Sequence, residues 1–145
     1  MSLDELYREV IMDHYRHPHN RGKLDAPTAS VSLNNPLCGD EIELYLLVQD
    51  GKVQDARWSG QGCSISQSSA SMMTDALIGL SVDEARRLVA NFQGLMHGQD
   101  PPYAEPELGD LEALTGVAKF PVRIKCALLP WEALSKALES SQPSD

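Results

Sequence analysis

The sequence predicts a single α+β domain: an amino-terminal helix, a three-stranded antiparallel sheet, and then helices packed on one face of that sheet. Three observations predict it, namely helical periodicity at the amino terminus, alternating apolar residues on both sides of Asp50-Gly51, and a return to helical periodicity after Gly62. Strands grouped in one part of the chain and helices in another are typical of layered α+β folds. The 145 residues fit one domain. We expect it to span residues 1–140, with residues 141–145 as a disordered tail.

The first helix is predicted by a capping-box pattern, Ser2 followed by Glu5, and by an apolar face at helical spacing. Pro18 and Gly22 end this pattern. The face consists of Leu3, Leu6, Tyr7, Val10, Ile11 and His14.

Three histidines, His14, His17 and His19, lie near the end of this helix. They could bind a metal ion. Histidines at a helix end are more often solvated or complementary to the helix dipole, and we expect that role here.

The sheet is predicted from three short runs. The first lies near residues 30–34, and in the second Ile42, Leu44, Leu46 and Val48 alternate with more polar residues. Asp50-Gly51 suits a two-residue type I′ turn, which requires positive φ at both positions. The third run, residues 53–59, should therefore pair antiparallel with the second.

Helical periodicity dominates the rest of the chain. A helix is expected after Gly62, and a second one begins with the capping box of Ser81 and Glu84 and ends near Gly98. The proline-rich residues 99–109 should form a loop, followed by a short helical stretch around residues 110–114. A last helix should begin at Pro121. The serines of residues 64–71 lack a nucleophile-elbow motif and are expected to serve tight helix packing. The buried face of the last helix is expected to contain Ile124, Leu128, Trp131, Leu134 and Leu138.

Charge and hydropathy exclude several functional classes. Twelve basic and twenty-one acidic residues give a net charge of −9, which disfavours binding to nucleic-acid phosphates. No stretch approaches the roughly 20 apolar residues that span a bilayer, and the amino terminus does not resemble a signal peptide. We therefore expect a cytoplasmic protein that binds neither nucleic acid nor membranes. Its three cysteines would then be free thiols.

The three cysteines and one aspartate form the candidate site. Cys38 precedes Gly39-Asp40, and Cys63 follows Gly62, so both thiols lie beside glycines at the ends of predicted strands. Cys126 lies on the second turn of the last predicted helix. A buried cysteine is often an inert part of the core, but this pattern favours a shared site. Three thiolates and a carboxylate suit tetrahedral Zn²⁺ and equally suit an iron–sulfur cluster.

The charge of such a site calls for nearby cations. Arg123 and Lys125 are available next to Cys126, and Arg123 lies one turn before it on the same helix. Helix starts after Cys63 and at Pro121 would also favour anionic sulfur.

The motifs Asn35-Pro36-Leu37-Cys38-Gly39-Asp40, Gly60-Gln61-Gly62-Cys63-Ser64-Ile65-Ser66 and Arg123-Ile124-Lys125-Cys126 resemble the SufU/IscU/NifU amino-terminal family of iron–sulfur cluster assembly proteins. The Leu6-Tyr7 and His17-Pro18-His19-Asn20 segments extend the resemblance over nearly the whole chain. The resemblance implies an α+β fold with a three-stranded sheet. It also implies that Cys38, Asp40, Cys63 and Cys126 are the metal ligands.

Within this family the chain is most similar to the SufU branch. Scaffold-type members carry histidine immediately before the third cysteine, where this chain has Lys125, and the chain has a longer proline-rich segment before the last helix. The resemblance implies a zinc-dependent sulfurtransferase that accepts persulfide sulfur from a SufS-type pyridoxal-phosphate cysteine desulfurase and passes it to a SufBCD-type scaffold. We expect Cys38 to be the sulfur acceptor, because its glycine-flanked loop should move most readily, and Arg123 to be its gating or charge partner. The alternatives are a scaffold for a [2Fe–2S] cluster, or iron, on the same residues and a purely structural zinc domain.

Overall fold

The computed structural model describes residues 2–36 and 39–140, including all of their side chains except that of Ser140; the predicted tail, residues 141–145, lies outside the described residues. Along the chain the elements are α1 (Leu3–Arg16), β1 (Ala29–Asn35), β2 (Asp40–Gln49), β3 (Lys52–Gln61), α2 (Ser64–Leu77), α3 (Val82–Met96), a 3-10 helix (Gly109–Lys119) and α4 (Pro121–Ser140). This order confirms the predicted α+β fold. Among the helices of the described ranges, none combines the length and apolar character needed to cross a membrane.

The sheet is antiparallel with the strand order β1-β2-β3. Along β2, Ile42 and Leu44 are buried whereas Glu41 and Glu43 are exposed, so one face of the sheet is covered by helices. The β2–β3 turn has φ values of 54° at Asp50 and 73° at Gly51, which confirms the predicted type I′ geometry. The core lies between this covered face and the helices.

Helix starts follow the capping patterns. Ser2 Oγ accepts a hydrogen bond from Glu5 N–H at 3.2 Å, which satisfies a free donor at the start of α1. Ser81 and Glu84 form the predicted reciprocal capping box at the start of α3, with bonds of 3.0 and 3.1 Å. As expected, α4 begins at Pro121.

The serines of α2 after Ser64 are buried in helix packing, as predicted, and Ser69 packs against α4. Residues 65–74 are all buried, so α2 is covered around its circumference. Ser69 Oγ donates to the carbonyl oxygen of Ala127 at 2.7 Å and accepts a hydrogen bond from Trp131 Nε1 at 3.0 Å. These bonds fix the position of α4 relative to the amino-terminal half of α2.

The helical stretch expected around residues 110–114 is longer than predicted, and it is a 3-10 helix. It extends from Gly109 to Lys119, and Leu111, Leu114 and Val117 are its buried apolar residues at intervals of three. A 3-10 helix has three residues per turn, so this spacing places all three side chains on one face. Contacts of these side chains with the core explain the extension.

The expectation of solvated histidines at the end of α1 is wrong for His14. Its side chain is buried, and Nδ1 lies 2.8 Å from Ser71 Oγ on α2. His17 is exposed, as expected, and lies 3.5 Å from Asp13. The burial of His14 depends on packing between α1 and α2, which are distant in the sequence.

Candidate metal centre

Cys63 lies at the junction between β3 and α2. It is the N-cap residue of α2, and its backbone N–H donates to Asp40 Oδ1 at 2.9 Å. The first N–H groups of a helix lack intrahelical partners, and the helix dipole favours negative charge beside them. The start of α2 therefore binds a carboxylate and places a thiol next to it.

Asp40 is the first residue of β2 and its side chain is completely buried. Its Oδ2 lies 3.9 Å from Cys63 Sγ. Burial of a carboxylate is unfavourable unless the charge is paired or binds a cation. Within the described part of the chain, no lysine or arginine forms an ion pair with Asp40. A metal ion would supply the missing positive charge.

Gly62 makes room for this carboxylate. Its φ is +152°, and a Cβ atom at this position would lie 2.2 Å from Asp40 Oδ1 and 2.9 Å from Ser66 Oγ. Any side chain here would displace the carboxylate. The glycine next to Cys63 thus permits the close approach that its sequence position suggested.

Cys126 completes the group of donors that the structure describes. It is buried on the second turn of α4, and its Sγ lies 3.8 Å from the carbonyl oxygen of Val122. One ligand atom from each of Asp40, Cys63 and Cys126 lies within 4.8 Å of the other two. The structure therefore brings together three of the four predicted ligands. Two thiols and a carboxylate are a donor set that fits Zn²⁺ or an iron centre.

Cys38, the fourth predicted ligand, lies outside the described residues. Its surroundings are described on both sides: Asn35 pairs with Asp40 across the strands, and Gly39 N–H donates to the Asn35 carbonyl oxygen at 2.9 Å. Gly39 has a φ of +69° and is exposed. The described residues on either side of Cys38 therefore lie close to Asp40. The roles assigned to Cys38 stay predictions.

The predicted cations lie at the surface. Arg123 and Lys125 are both exposed on α4. In the described residues Arg123 makes no ion pair with the buried Asp40. A contact between Arg123 and the Cys38 thiolate stays a prediction.

Sequence reasoning missed Ser66 as a neighbour of the centre. Its Oγ lies 3.9 Å from Cys63 Sγ and donates to the Cys63 carbonyl oxygen at 3.1 Å. The sequence feature that could have identified Ser66 was its position three residues after the helix N-cap, on the first turn of α2. The serine-rich composition of that helix suggested packing instead.

The chain was compared with known proteins. The family model described as "NifU-like N terminal domain" matches residues 6–139. The chain is 49% identical over 140 residues to the iron–sulfur cluster assembly scaffold protein IscU of Streptococcus pyogenes serotype M1, covering 97% of this chain and 87% of that protein. It is 47% identical over 142 residues to the zinc-dependent sulfurtransferase SufU of Bacillus subtilis strain 168, covering 97% and 95%.

Among solved structures, one from Fervidobacterium islandicum AW-1 is named as a candidate iron–sulfur cluster assembly scaffold protein for the SUF system. Its TM-score is 0.85 at 34% identity, and the match covers 94% of this chain and 99% of that one. Relatives of nearly equal similarity thus carry names of two kinds, scaffold and sulfurtransferase.

Proposed function

The chain belongs to the family of NifU-like N-terminal domains, and on this premise we propose that it is a zinc-dependent sulfurtransferase in iron–sulfur cluster assembly. It accepts sulfur from a SufS-type pyridoxal-phosphate cysteine desulfurase and passes it to a SufBCD-type cluster scaffold. The observation that carries the proposal is the convergence of Asp40, Cys63 and Cys126 within 4.8 Å. Cys38, two residues from Asp40, is the fourth ligand.

The donor set supports zinc. Thiolates suit Zn²⁺, and a buried carboxylate without a basic partner among the described residues suits a dication. Scaffold-type members carry a histidine at the position of Lys125. This chain therefore has one nitrogen ligand fewer beside the centre. When bound, zinc would keep the thiols deprotonated and protect them from oxidation.

Sulfur transfer to this chain is a thiol exchange. The Cys38 thiolate attacks the outer sulfur of the desulfurase persulfide, a bond forms between these two sulfurs, and the sulfur–sulfur bond of the persulfide breaks. The desulfurase cysteine leaves as a thiolate and Cys38 becomes a persulfide, so no external oxidant or reductant is needed.

The chain's other residues have supporting roles in this step. Asp40 is held by the Cys63 N–H, so it stays in place while the neighbouring loop moves. Arg123, exposed on the first turn of α4, pairs with the anionic sulfur of Cys38 and thereby stabilises the loop in its accepting position.

Desulfurase turnover tests the proposal. The zinc-loaded protein should stimulate sulfide or alanine release, and Cys38→Ala and Asp40→Ala should each abolish the stimulation. Glu41→Ala is the matched control, because Glu41 is the adjacent acid but is exposed on the opposite face of β2. Undiminished stimulation by both site variants would refute the assignment.

The second candidate function is a scaffold for a [2Fe–2S] cluster, favoured by the name of the 49% identical relative. It would use the same four residues. Metal analysis separates the two: a colourless protein with one zinc per chain at the thiolate site supports the sulfurtransferase. Bound iron with visible absorption after anaerobic reconstitution supports the scaffold. A zinc site that retains its metal and gains no sulfur beside an active desulfurase would indicate a structural domain.

A further inference from the structure

A second group of side chains with metal-ligand chemistry lies at the other end of α2. His14 from α1, His19 from the following segment and Asp75 from α2 each offer one ligand atom, and these atoms all lie within 4.8 Å of one another. Asp75 is twelve residues after Cys63, which corresponds to about 18 Å along a helix. The group is therefore separate from the cysteine centre.

The His14 ring is fixed by its surroundings. Nδ1 lies 2.8 Å from Ser71 Oγ, and Nε2 lies 3.5 Å from Asp110 Oδ2 on the 3-10 helix. The ring is buried, whereas the Asp110 side chain is 72% exposed. A hydrogen bond to one ring nitrogen, here from the contact with Ser71, orients a histidine whose other nitrogen binds a metal.

His19 is held by its backbone. Its N–H donates to Ser71 Oγ and its carbonyl oxygen accepts from Trp58 Nε1, both at 2.8 Å. Its ring centroid lies 4.5 Å from that of His14, and its Nδ1 contacts Asp75 Oδ2. The second histidine of the cluster is therefore held in a fixed position by its backbone.

Neighbouring side chains orient Asp75 so that one of its carboxylate oxygens faces the histidines. Asn20 Nδ2 donates to Asp75 Oδ1 at 2.9 Å, while Oδ2 faces His19. The side chains of His19 and Asp75 are each about half exposed, at 44% and 45%. They can therefore move the short distance that direct ligation requires.

We infer that His14, His19 and Asp75 form a second divalent-metal site, suited to Zn²⁺, which fastens the end of α1 to α2. Two imidazoles and a carboxylate are common zinc ligands, with bonds of roughly 2.0–2.2 Å that imply ligand separations of about 3.3 Å. The present separations range from the direct contact of His19 with Asp75 up to 4.8 Å, so ligation requires shifts of at most about 1.5 Å. Asp110 or water supplies the fourth position. Two carboxylates and a net chain charge of −9 favour a bound cation.

Zinc titration of the full chain tests this inference. Protein whose cysteine centre already holds zinc should bind one further zinc ion per chain. The ¹H–¹⁵N imidazole signals of His14 and His19 should report this binding. The variants His19→Gln and Asp75→Asn should lose this second equivalent, and backbone amide spectra would show that both remain folded.

His17→Gln is the matched control. His17 also faces an aspartate, Asp13 at 3.5 Å, but its side chain is 76% exposed and lies outside the cluster. This variant should retain the second equivalent. Imidazole signals of His14 and His19 that do not respond to zinc, or a second equivalent that persists in both ligand variants, would overturn the inference. Neither result would bear on sulfur transfer at the cysteine centre, which the desulfurase assay measures separately.

Discussion

Substitution of Gly62 by alanine should damage the cysteine centre although it replaces none of the ligand residues. The new Cβ would lie 2.2 Å from Asp40 Oδ1, and ordinary contact begins at 3.4 Å, so the carboxylate must move by about 1.2 Å. This displacement breaks the bond from Cys63 N–H. Loss of a hydrogen bond to a charged group costs roughly 1.5–3 kcal/mol, and the positive φ adds about 1–2 kcal/mol.

We therefore expect Gly62→Ala to lower the free energy of unfolding of the metal-free protein by about 2.5–5 kcal/mol. Zinc affinity should fall about 10- to 100-fold, the range seen when groups that orient metal ligands are removed. Urea unfolding measures the first quantity, and competition with a chromophoric chelator measures the second.

Gly79→Ala separates backbone strain from the steric clash. Gly79 also has positive φ, +95°, but a Cβ there would meet nothing within 4 Å. This variant should lose about 1–2 kcal/mol and keep its zinc affinity. Equal zinc affinities for the wild type and Gly62→Ala would refute the role assigned to this glycine.

Three further predictions concern the partner surface, the core and pH. Val122, 68% exposed one turn before Cys126, should contact the desulfurase; Val122→Ser should raise the protein concentration needed for half-maximal stimulation and leave the zinc content unchanged. Ser69→Ala leaves the buried Trp131 Nε1–H without its hydrogen-bond partner and should cost roughly 1–3 kcal/mol in urea unfolding. The pKa of Glu84 is lowered because its carboxylate accepts the backbone N–H of the α3 N-cap. The ionised Glu84 carboxylate therefore stabilises the fold above roughly pH 4.3, and this stabilisation is lost as the pH falls through the lower folded-state pKa. In the metal-free protein, the urea midpoint should therefore decrease less on acidification in Glu84→Gln than in the wild type.

Local patterns predicted the elements that depend on local chemistry. The type I′ turn follows from the conformations available to Asp50-Gly51, and the start of α3 follows from hydrogen bonds between residues three apart. The convergence of Asp40 with Cys63 was also predictable, because glycines beside chemically suitable ligands indicated a close approach.

The rest depends on contacts between residues that are distant in the sequence. His14 lies at the end of a helix, where solvation is usual, but packing against Ser71, 57 residues away, buries it. Asp75 joins the cluster by contacting His19, which lies 56 residues earlier in the segment after α1. The 3-10 helix illustrates a different limit: its period of three was present in the sequence, but short apolar runs do not reveal which period the core will select.

Mass spectrometry after incubation with a cysteine desulfurase and isotope-labelled cysteine tests the central claim most directly. The proposed function predicts one added, labelled sulfur atom on the peptide that contains Cys38, and its removal by a thiol reductant. Protein that remains unlabelled beside an active desulfurase, or that carries the sulfur only on the peptides of Cys63 or Cys126, would contradict it.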